Sequence, residues 1–342
     1  MTTKIVDVHR HLWDVGWFPP THLRQTAEAN AYSVYPPKNV DEVLERIKRA
    51  PTMDPTCDGA MREQEQYGID VGIIQTLDWG LAYGPEEDAP VPVEEINRIT
   101  LRNAAKYKGR LYAMAGIDPR RPRAVKLFEE MVVEHGAVGL KVYPPCGFQP
   151  NDEICWPMYK KAIELDVPVL IHTGGAGKSS RTRWTWPEWV EEVAVMFPEL
   201  RVIMGHTNLQ GPFETGAYWR GLTAARNKPN IYLDLCDWQV LGAVKDENIP
   251  ELLRVIRVFL DTVGPYRIVW GTDLPQTGVG RRRQQETQRW TDIFKNLPEW
   301  GERYGIRFTE EERDGICHLA AMRCFSNIDW SETPLADVQR RW

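Results

Sequence analysis

Residues that bind metal ions or move protons stand where the apolar runs of this sequence end. They are His9, His11, Lys141, His172, His206 and Asp273. Imidazole and carboxylate groups that share one cation can activate water or polarise a carbonyl group. Side chains from separate runs can share a cation only if the runs end at one edge of the fold. The spacing therefore predicts metal-assisted chemistry and also constrains the architecture.

His9 and His11 stand two residues apart in the first apolar run, IVDVHRH. On a strand, residues with this spacing point to the same face. Two imidazoles on an apolar interior face are costly unless something binds them. The pair alone fits a metal site or a hydrogen-bonded pair equally well. The position of His172 and His206 at the ends of further runs favours the metal. The remaining histidines are interpreted as structural or surface residues: His22, His135 and His318.

Three or four nitrogen ligands and one carboxylate fit a catalytic divalent metal. Zn²⁺ is the expected ion, with Mn²⁺ or Fe²⁺ as alternatives. Such a cation lowers the pKa of bound water towards neutrality and polarises a carbonyl or carboxylate oxygen. Asp273 is expected to serve as a ligand and to accept a proton from that water.

Eight short runs rich in Val, Ile and Leu predict parallel strands that are covered on both faces. Most neighbouring runs are roughly 20–40 residues apart, the length of a crossover that contains a helix. Helical patterns such as NVDEVLERIKRA fill the gaps. We therefore predict an α/β fold, a single (β/α)8 TIM barrel. The alternative is a doubly wound open sheet, but HRHLW stands where its Gly-rich turn would be. The predicted strands are 4–8, 70–76, 111–117, 137–142, 168–172, 201–204, 231–235 and 267–270.

Two stretches, residues 12–69 and 274–308, are longer than plain connections. In a barrel both would lie over the C-terminal rim as lids or inserts. No internal repeat or low-complexity linker interrupts the chain. We therefore expect residues 1–342 to form one domain.

Composition narrows the class of protein and its partners. The chain has 342 residues, of which 42% are hydrophobic and 26% charged, and this suits a globular enzyme. A net charge of -6 gives no excess of positive charge that would favour binding to nucleic acid or to an anionic membrane. Six scattered cysteines are interpreted as reduced thiols, mostly in the core. No signal peptide or membrane span is visible. We expect the protein to be cytoplasmic and to act on a small-molecule substrate. We also expect it to form a homo-oligomer, a dimer, and a hetero-oligomer is the alternative.

Aromatic and basic residues that follow the predicted strands are candidates for the substrate pocket. Aromatic rings suit a flat or apolar substrate, and arginines can bind a carboxylate in a bidentate manner. Each residue also has an ordinary interpretation as a loop anchor or a solvated side chain. The candidates are Trp79, Tyr143, Trp238, Arg181 and Arg183, with Trp184 and Trp186 as further aromatic residues.

The motifs DVHRH, GLKVYP, LIHTGG, GHTN and WGTDLP, in this order, resemble the amidohydrolase superfamily of metal-dependent barrels. The chain is most similar to the amidohydrolase-2 branch, which includes aminocarboxymuconate semialdehyde decarboxylase and related aromatic-acid decarboxylases. For a decarboxylase-like site the resemblance implies one metal, with His206 as acid or base and with the ligands His9, His11, His172 and Asp273. For a hydrolase-like site it implies two metals bridged by carboxylated Lys141, with His172 and His206 on the second ion.

The leading hypothesis is a metal-dependent hydrolase of the amidohydrolase-2 type, in which metal-bound water attacks a small organic acid, amide or lactone. The alternative is non-oxidative decarboxylation of an aromatic or unsaturated carboxylic acid. The segment HTNLQGPFETG resembles the decarboxylase pattern of glycines, Pro-Phe and Gly, with Thr207, Asn208 and Leu209 in place of glycines. A dinuclear Fe or Mn enzyme that activates oxygen, or a metal-stabilised partner subunit, also remains open.

Overall fold

The computed structural model describes residues 3–84, 86–175, 180–209, 211–275 and 281–339. Eight parallel strands form one sheet, and each pairs with the next in chain order. The N–H of Val8 donates to the carbonyl of Trp270 at 3.0 Å, and that of Asp273 to the carbonyl of His9 at 2.8 Å. These bonds join the first strand to the segment after the last, so the predicted TIM barrel is confirmed. The strands are β1 Val6–Arg10, β2 Val71–Gln75, β3 Leu111–Gly116, β4 Leu140–Val142, β5 Val169–His172, β6 Val202–Gly205, β7 Ile231–Asp234 and β8 Ile268–Val269.

Helices surround the barrel in the gaps between the strands, as the apolar periodicity predicts. The crossover helices pack apolar side chains against the outer face of the sheet, as in α9, where Leu252, Ile256 and Phe259 are fully buried. The described α-helices are α1 Pro20–Tyr32, α2 Val40–Lys48, α3 Asp58–Tyr67, α4 Val93–Ala104, α5 Ala124–Val133, α6 Trp156–Glu164, α7 Pro187–Met196, α8 Tyr218–Ala225, α9 Ile249–Val263, α10 Arg281–Lys295, α11 Leu297–Arg303, α12 Glu310–Asp314 and α13 Ala320–Cys324.

The barrel interior is divided into an apolar base and a polar upper end. Leu170, Ile203 and Val269 pack together inside the barrel, and Phe325 and Trp330 of the C-terminal segment cover that base. Side chains that alternate with these along the strands face the helices. The closed base leaves the carboxyl ends of the strands as the side on which a site can open.

An irregularity in β1 brings adjacent residues to the same side of the sheet. The pairing of β1 with β2 shifts register between Asp7 and Arg10. Val8 belongs to the apolar interior cluster, while His9, the next residue, contacts Lys141 of β4 across the barrel. Bulged strands of this kind re-aim side chains beside active sites. Arg10 lies on the outer side, buried in an ion pair of 2.7 Å with Glu63 of α3.

The long stretch after β1 contains α1, α2 and α3, of which α3 is the crossover helix to β2. Trp13, Phe18 and Leu23 from this stretch pack with Trp79 and Tyr143 from the loops after β2 and β4. Part of the stretch therefore packs beside the C-terminal ends of β2 and β4, and the assignment of residues 12–69 as a lid stays a prediction. In the second predicted lid, residues 276–280 lie outside the described part of the chain. The assignment of residues 1–342 to one domain stays a prediction.

No helix among the described residues is long and apolar enough to cross a membrane.

Candidate metal centre

The six residues predicted as a metal site meet at the carboxyl ends of the strands. Nε2 of His11 lies 3.0 Å from Oδ1 of Asp273, and Nζ of Lys141 lies 3.0 Å from Nε2 of His9. Nε2 of His206 lies 3.1 Å from Nδ1 of His172. All six side chains are buried. All of them except His9 line a pocket of about 270 Å³.

The outward nitrogens of three of these imidazoles face hydrogen-bond acceptors. Nδ1 of His9 faces the Asp234 carboxylate at 2.6 Å, and Nδ1 of His11 faces the Gln75 carbonyl at 2.8 Å. Nε2 of His172 faces the Gly175 carbonyl at 2.7 Å. A nitrogen that donates to such an acceptor carries the proton, so the other ring nitrogen presents its lone pair to the site. Acceptors behind the ring are typical of histidines that bind metals.

His206 follows β6 in a left-handed turn. The φ angles of His206, Thr207 and Asn208 are 59°, 47° and 62°. Side chains in this conformation cost on the order of 1 kcal/mol each, and local hydrogen bonds offset the cost. Thr207 Oγ1 donates to the Asp234 carbonyl at 2.8 Å, and Trp238 Nε1 donates to the His206 carbonyl at 3.0 Å. The turn directs the imidazole of His206 into the site.

Burial controls the protonation of the site. It lowers the pKa of His11 to about 3 and that of His206 to about 4, and it holds the pKa values of His9 and His172 well below the usual value. The imidazoles are therefore neutral at pH 7, which is the form that binds metals.

Lys141 and Asp273 are shifted in opposite directions by the same cause. Burial lowers the pKa of Lys141 to about 8 and raises that of Asp273 to about 8, while the attraction between the two groups opposes both shifts. Each charge thus depends on the other, and a bound cation would add to the field that keeps Asp273 ionised.

The donor set fits a divalent metal. Lone pairs of two neutral imidazoles that meet at 3.1 Å repel each other unless a proton or a cation lies beside both. Neighbouring ligand atoms around tetrahedral Zn²⁺ lie about 3.3 Å apart, close to this separation. His9, His11 and Asp273 form one group of candidate ligands. His172 and His206 face them from the other side.

Aromatic and aliphatic side chains form the walls of the pocket. Tyr143 lies between the rings of Trp79 and His172, with centroid distances of 4.6 and 4.7 Å. Leu209 and Leu241 complete the apolar surface. The structure thus places Trp79 and Tyr143 at the pocket, where the sequence predicts them.

Trp238 does not line the pocket, in contrast to the expectation. Its side chain is fully buried behind His206 and packs against Phe213 and Tyr218. The chain turns at Asp237, which has a φ of 69°, and the turn sends the following ring into the core. Trp238 therefore supports the backbone of His206 instead of contacting the cavity.

The arginines predicted to bind substrate also lie away from the described pocket lining. Nη1 of Arg181 donates to the carbonyls of Ala82 and Cys146 at 3.0 and 2.9 Å. Arg183 is exposed and stacks over the ring of Trp184 at 4.1 Å. Their contact with substrate stays a prediction, because residues 176–179 of the adjoining loop lie outside the described residues.

Asp234, Cys236 and Asp237 are site residues that the sequence reasoning missed. Asp234 ends β7 and receives the hydrogen bond of His9, Cys236 contacts two of the histidines, and Asp237 lines the pocket. One signal was available, because the run IYLD ends in a carboxylate just as RIVWGTD does. Nothing in the sequence distinguishes Cys236 from the other buried cysteines.

Comparisons with known proteins identify relatives of this chain. The sequence model of the amidohydrolase-2 family, described as Amidohydrolase, matches residues 6–326. A 2-keto-4-carboxy-3-hexenedioate hydratase from Sphingobium sp. is 22% identical over 326 residues, which cover 86% of this chain and 87% of the relative.

Solved structures share the fold of this chain. One is a manganese-bound 5-carboxyvanillate decarboxylase from Novosphingobium aromaticivorans, with a TM-score of 0.63, 14% identity and coverage of 95% of this chain and 97% of that chain. Another is a probable 2-pyrone-4,6-dicarboxylic acid hydrolase from Acinetobacter baumannii, with a TM-score of 0.59, 13% identity and coverage of 94% and 99%.

Proposed function

Because this chain belongs to the amidohydrolase family, we propose that it is a metal-dependent hydrolase that uses water to cleave a small amide or lactone. The charge of the pocket wall carries this proposal. Two carboxylates, Asp237 and Asp273, line the pocket, and Lys141 is the one amine or guanidinium in the described part of the lining.

A decarboxylase must hold the carboxylate of its substrate beside the metal. Burial and the nearby Asp273 raise the pKa of Asp237 well above its usual value, while Arg283 opposes this shift. In its ionised form Asp237 would repel such a group, and Lys141 already lies against His9 and opposes the charge of Asp273. A neutral carbonyl group meets no such repulsion. The wall therefore favours a substrate that is uncharged at the reacting carbon.

A bound divalent cation supplies Lewis acidity, which polarises the carbonyl and lowers the pKa of water. Asp273 is placed to accept the proton from the attacking water and to pass it to the leaving nitrogen or oxygen as the acyl bond breaks. His206 directs Nε2 towards the same space as His172. The rings of Trp79 and Tyr143 hold the body of the substrate.

Decarboxylation is the second candidate, favoured by the backbone after β6. Residues 206–208 adopt the left-handed conformation that glycines would adopt freely, and Gly216 follows with a φ of 67°. Of the three positions at which the decarboxylase pattern has glycine, Thr207 and Asn208 are left-handed, whereas Leu209 has a φ of -66°. Water addition, the reaction named by the hydratase relative, shares with hydrolysis the need for a base beside water.

Incubation of the zinc-loaded enzyme with an aromatic lactone, dihydrocoumarin, and an aromatic acid, 2,6-dihydroxybenzoate, tests the proposal. We expect ring opening of the lactone with one oxygen from ¹⁸O-labelled water, abolished in Asp273→Asn, and no release of CO2 from the acid. Release of CO2 without lactone cleavage would instead establish the second candidate.

Benzoate inhibition tests the charge argument separately. We expect Asp237→Asn to bind benzoate roughly tenfold more tightly than the wild type, because a repulsion of about 1.4 kcal/mol is removed. Equal inhibition of the two proteins would remove the observation on which the choice of hydrolysis rests. Asp246→Asn, an exposed aspartate in the loop that follows, is the matched control.

A further inference from the structure

Cys236 lies two residues beyond β7, and its thiol is fully buried at the back of the site. Sγ lies 2.9 Å from Nδ1 of His206, 3.0 Å from Nδ1 of His9 and 3.0 Å from Oδ2 of Asp234. The hydrolytic steps above do not use this thiol. Its contacts nevertheless join residues from the ends of β1, β6 and β7.

These four residues have the donor types of a zinc site, but their spacing is that of a hydrogen-bond network. Nδ1 of His9 and Oδ2 of Asp234 are 2.6 Å apart. Two ligands of one tetrahedral Zn²⁺ would lie about 3.3 Å apart. The group is therefore too compact to hold a second ion.

The available protons assign a direction to each bond. Nδ1 of His9 donates to the Asp234 carboxylate, and the thiol of Cys236 donates to the same carboxylate oxygen. The sulfur is then free to accept a hydrogen bond from Nδ1 of His206 at 2.9 Å. The other acceptor near this nitrogen, the carbonyl of Cys236, is more distant at 3.4 Å.

We propose that Cys236 is a positioning residue that holds His206 in the tautomer with the proton on Nδ1 and the lone pair of Nε2 in the pocket. Through Asp234 it also couples the orientation of His206 to that of His9. The proposal deepens the proposed function and rests on the same metal site. It gives Cys236 a role that the other buried cysteines, such as Cys324 at the base of the barrel, do not share.

Three variants separate this role from packing. Cys236→Ala removes the acceptor, Cys236→Ser restores a donor and an acceptor on a shorter bond, and Cys324→Ala is the matched control in the core. Long-range ¹H–¹⁵N spectra of histidine-labelled protein report the tautomer of His206, with and without zinc. Competition with a chelator reports zinc affinity.

With zinc bound beside Nε2 of His206 and Nδ1 of His172, we expect His206 to carry its proton on Nδ1 in the wild type and in Cys324→Ala. In Cys236→Ala we expect a mixture of tautomers and zinc affinity that is roughly 10- to 100-fold lower, with recovery in Cys236→Ser. A tautomer and an affinity that match Cys324→Ala, even with lower stability, would overturn the proposal. If the wild type binds no zinc, the proposed function fails. In that case a change in the His206 signals of the metal-free protein in Cys236→Ala but not in Cys324→Ala would still support the role of Cys236, and equal spectra of these two variants would overturn it.

Discussion

Asp234 accepts a hydrogen bond from Nδ1 of His9 at 2.6 Å, and both side chains are fully buried. The same carboxylate accepts from the backbone N–H of His206 at 3.2 Å and from that of Cys236 at 2.9 Å. One side chain at the end of β7 therefore orients a ring from β1 and the backbone that follows β6. This carboxylate organises two of the candidate ligands without lining the pocket.

Replacement of Asp234 by asparagine should weaken zinc binding. The amide lacks the negative charge that strengthens the hydrogen bonds from His9 and from the neighbouring backbone N–H groups. We therefore expect the affinity for zinc to fall roughly 10- to 100-fold. Competition with a chelator measures the change, and the exposed Asp246→Asn is the control. Equal affinities of the two variants would contradict the organising role of Asp234.

Removal of the first histidine pair should abolish the site. We expect the double variant His9→Ala/His11→Ala to retain no bound zinc or manganese after gel filtration, because two of the inward lone pairs are lost. Elemental analysis measures the metal and circular dichroism verifies folding. His135→Ala, at an exposed histidine, is the control. Full metal content and activity in the double variant would disprove the site.

Lys141 should remain a free amine, with one zinc ion bound per chain. Burial lowers the pKa of Lys141 to about 8, and the attraction of Asp273 and Asp234 limits this shift. The side chain is therefore mostly an ammonium group at pH 7, and an ammonium group does not react with CO2. Elemental analysis with excess zinc and bicarbonate gives the stoichiometry, with Lys245→Met as a surface control. Two ions per chain that fall to one in Lys141→Met would instead establish a carboxylated, bridging lysine.

Two buried tryptophans offer a matched test of the support behind His206. Trp238 donates to the His206 carbonyl, whereas Nε1 of Trp270 has no hydrogen-bond partner within the described ranges. Both rings are fully buried, so replacement by phenylalanine removes a similar volume from each site. We expect Trp238→Phe to lower the free energy of unfolding by roughly 1 kcal/mol more than Trp270→Phe. Urea unfolding measures the difference, and equal losses would show that the bond is unimportant.

His22, which packs at the C-terminal rim, should make the folding stability of the protein fall at acid pH. The ring is buried between Phe18 and Trp79, and burial lowers its pKa to about 4. As the pH falls from 7 to 5, the unfolded chain binds a proton that the folded protein excludes. Stability should therefore fall by roughly 2 kcal/mol through this group.

The variant His22→Gln tests this effect by urea unfolding at both pH values. We expect it to lose roughly 2 kcal/mol less stability than the wild type over this interval. His135→Gln is the control at an exposed histidine and should follow the wild type. A wild-type loss that persists unchanged in His22→Gln would assign the acid sensitivity to other groups.

The pattern of apolar runs was sufficient to predict the barrel and the meeting of six site residues. Parallel strands in a closed sheet end at one rim, so polar residues at those ends must converge, as His11 and Asp273 do at 3.0 Å. The same reasoning predicted Trp79 and Tyr143 at the pocket. It could not place Trp238, because the direction of that ring depends on the left-handed backbone at Asp237.

The sequence by itself determined which residue types stand at the strand ends, because apolar periodicity and strand direction are local properties of the chain. Only the tertiary structure decided which nitrogen of each histidine faces the site. That choice depends on acceptors from distant segments, such as Asp234 for His9 and Gln75 for His11. The charge of the pocket wall was decided in the same way, because Asp237 enters the cavity only through the turn that buries Trp238.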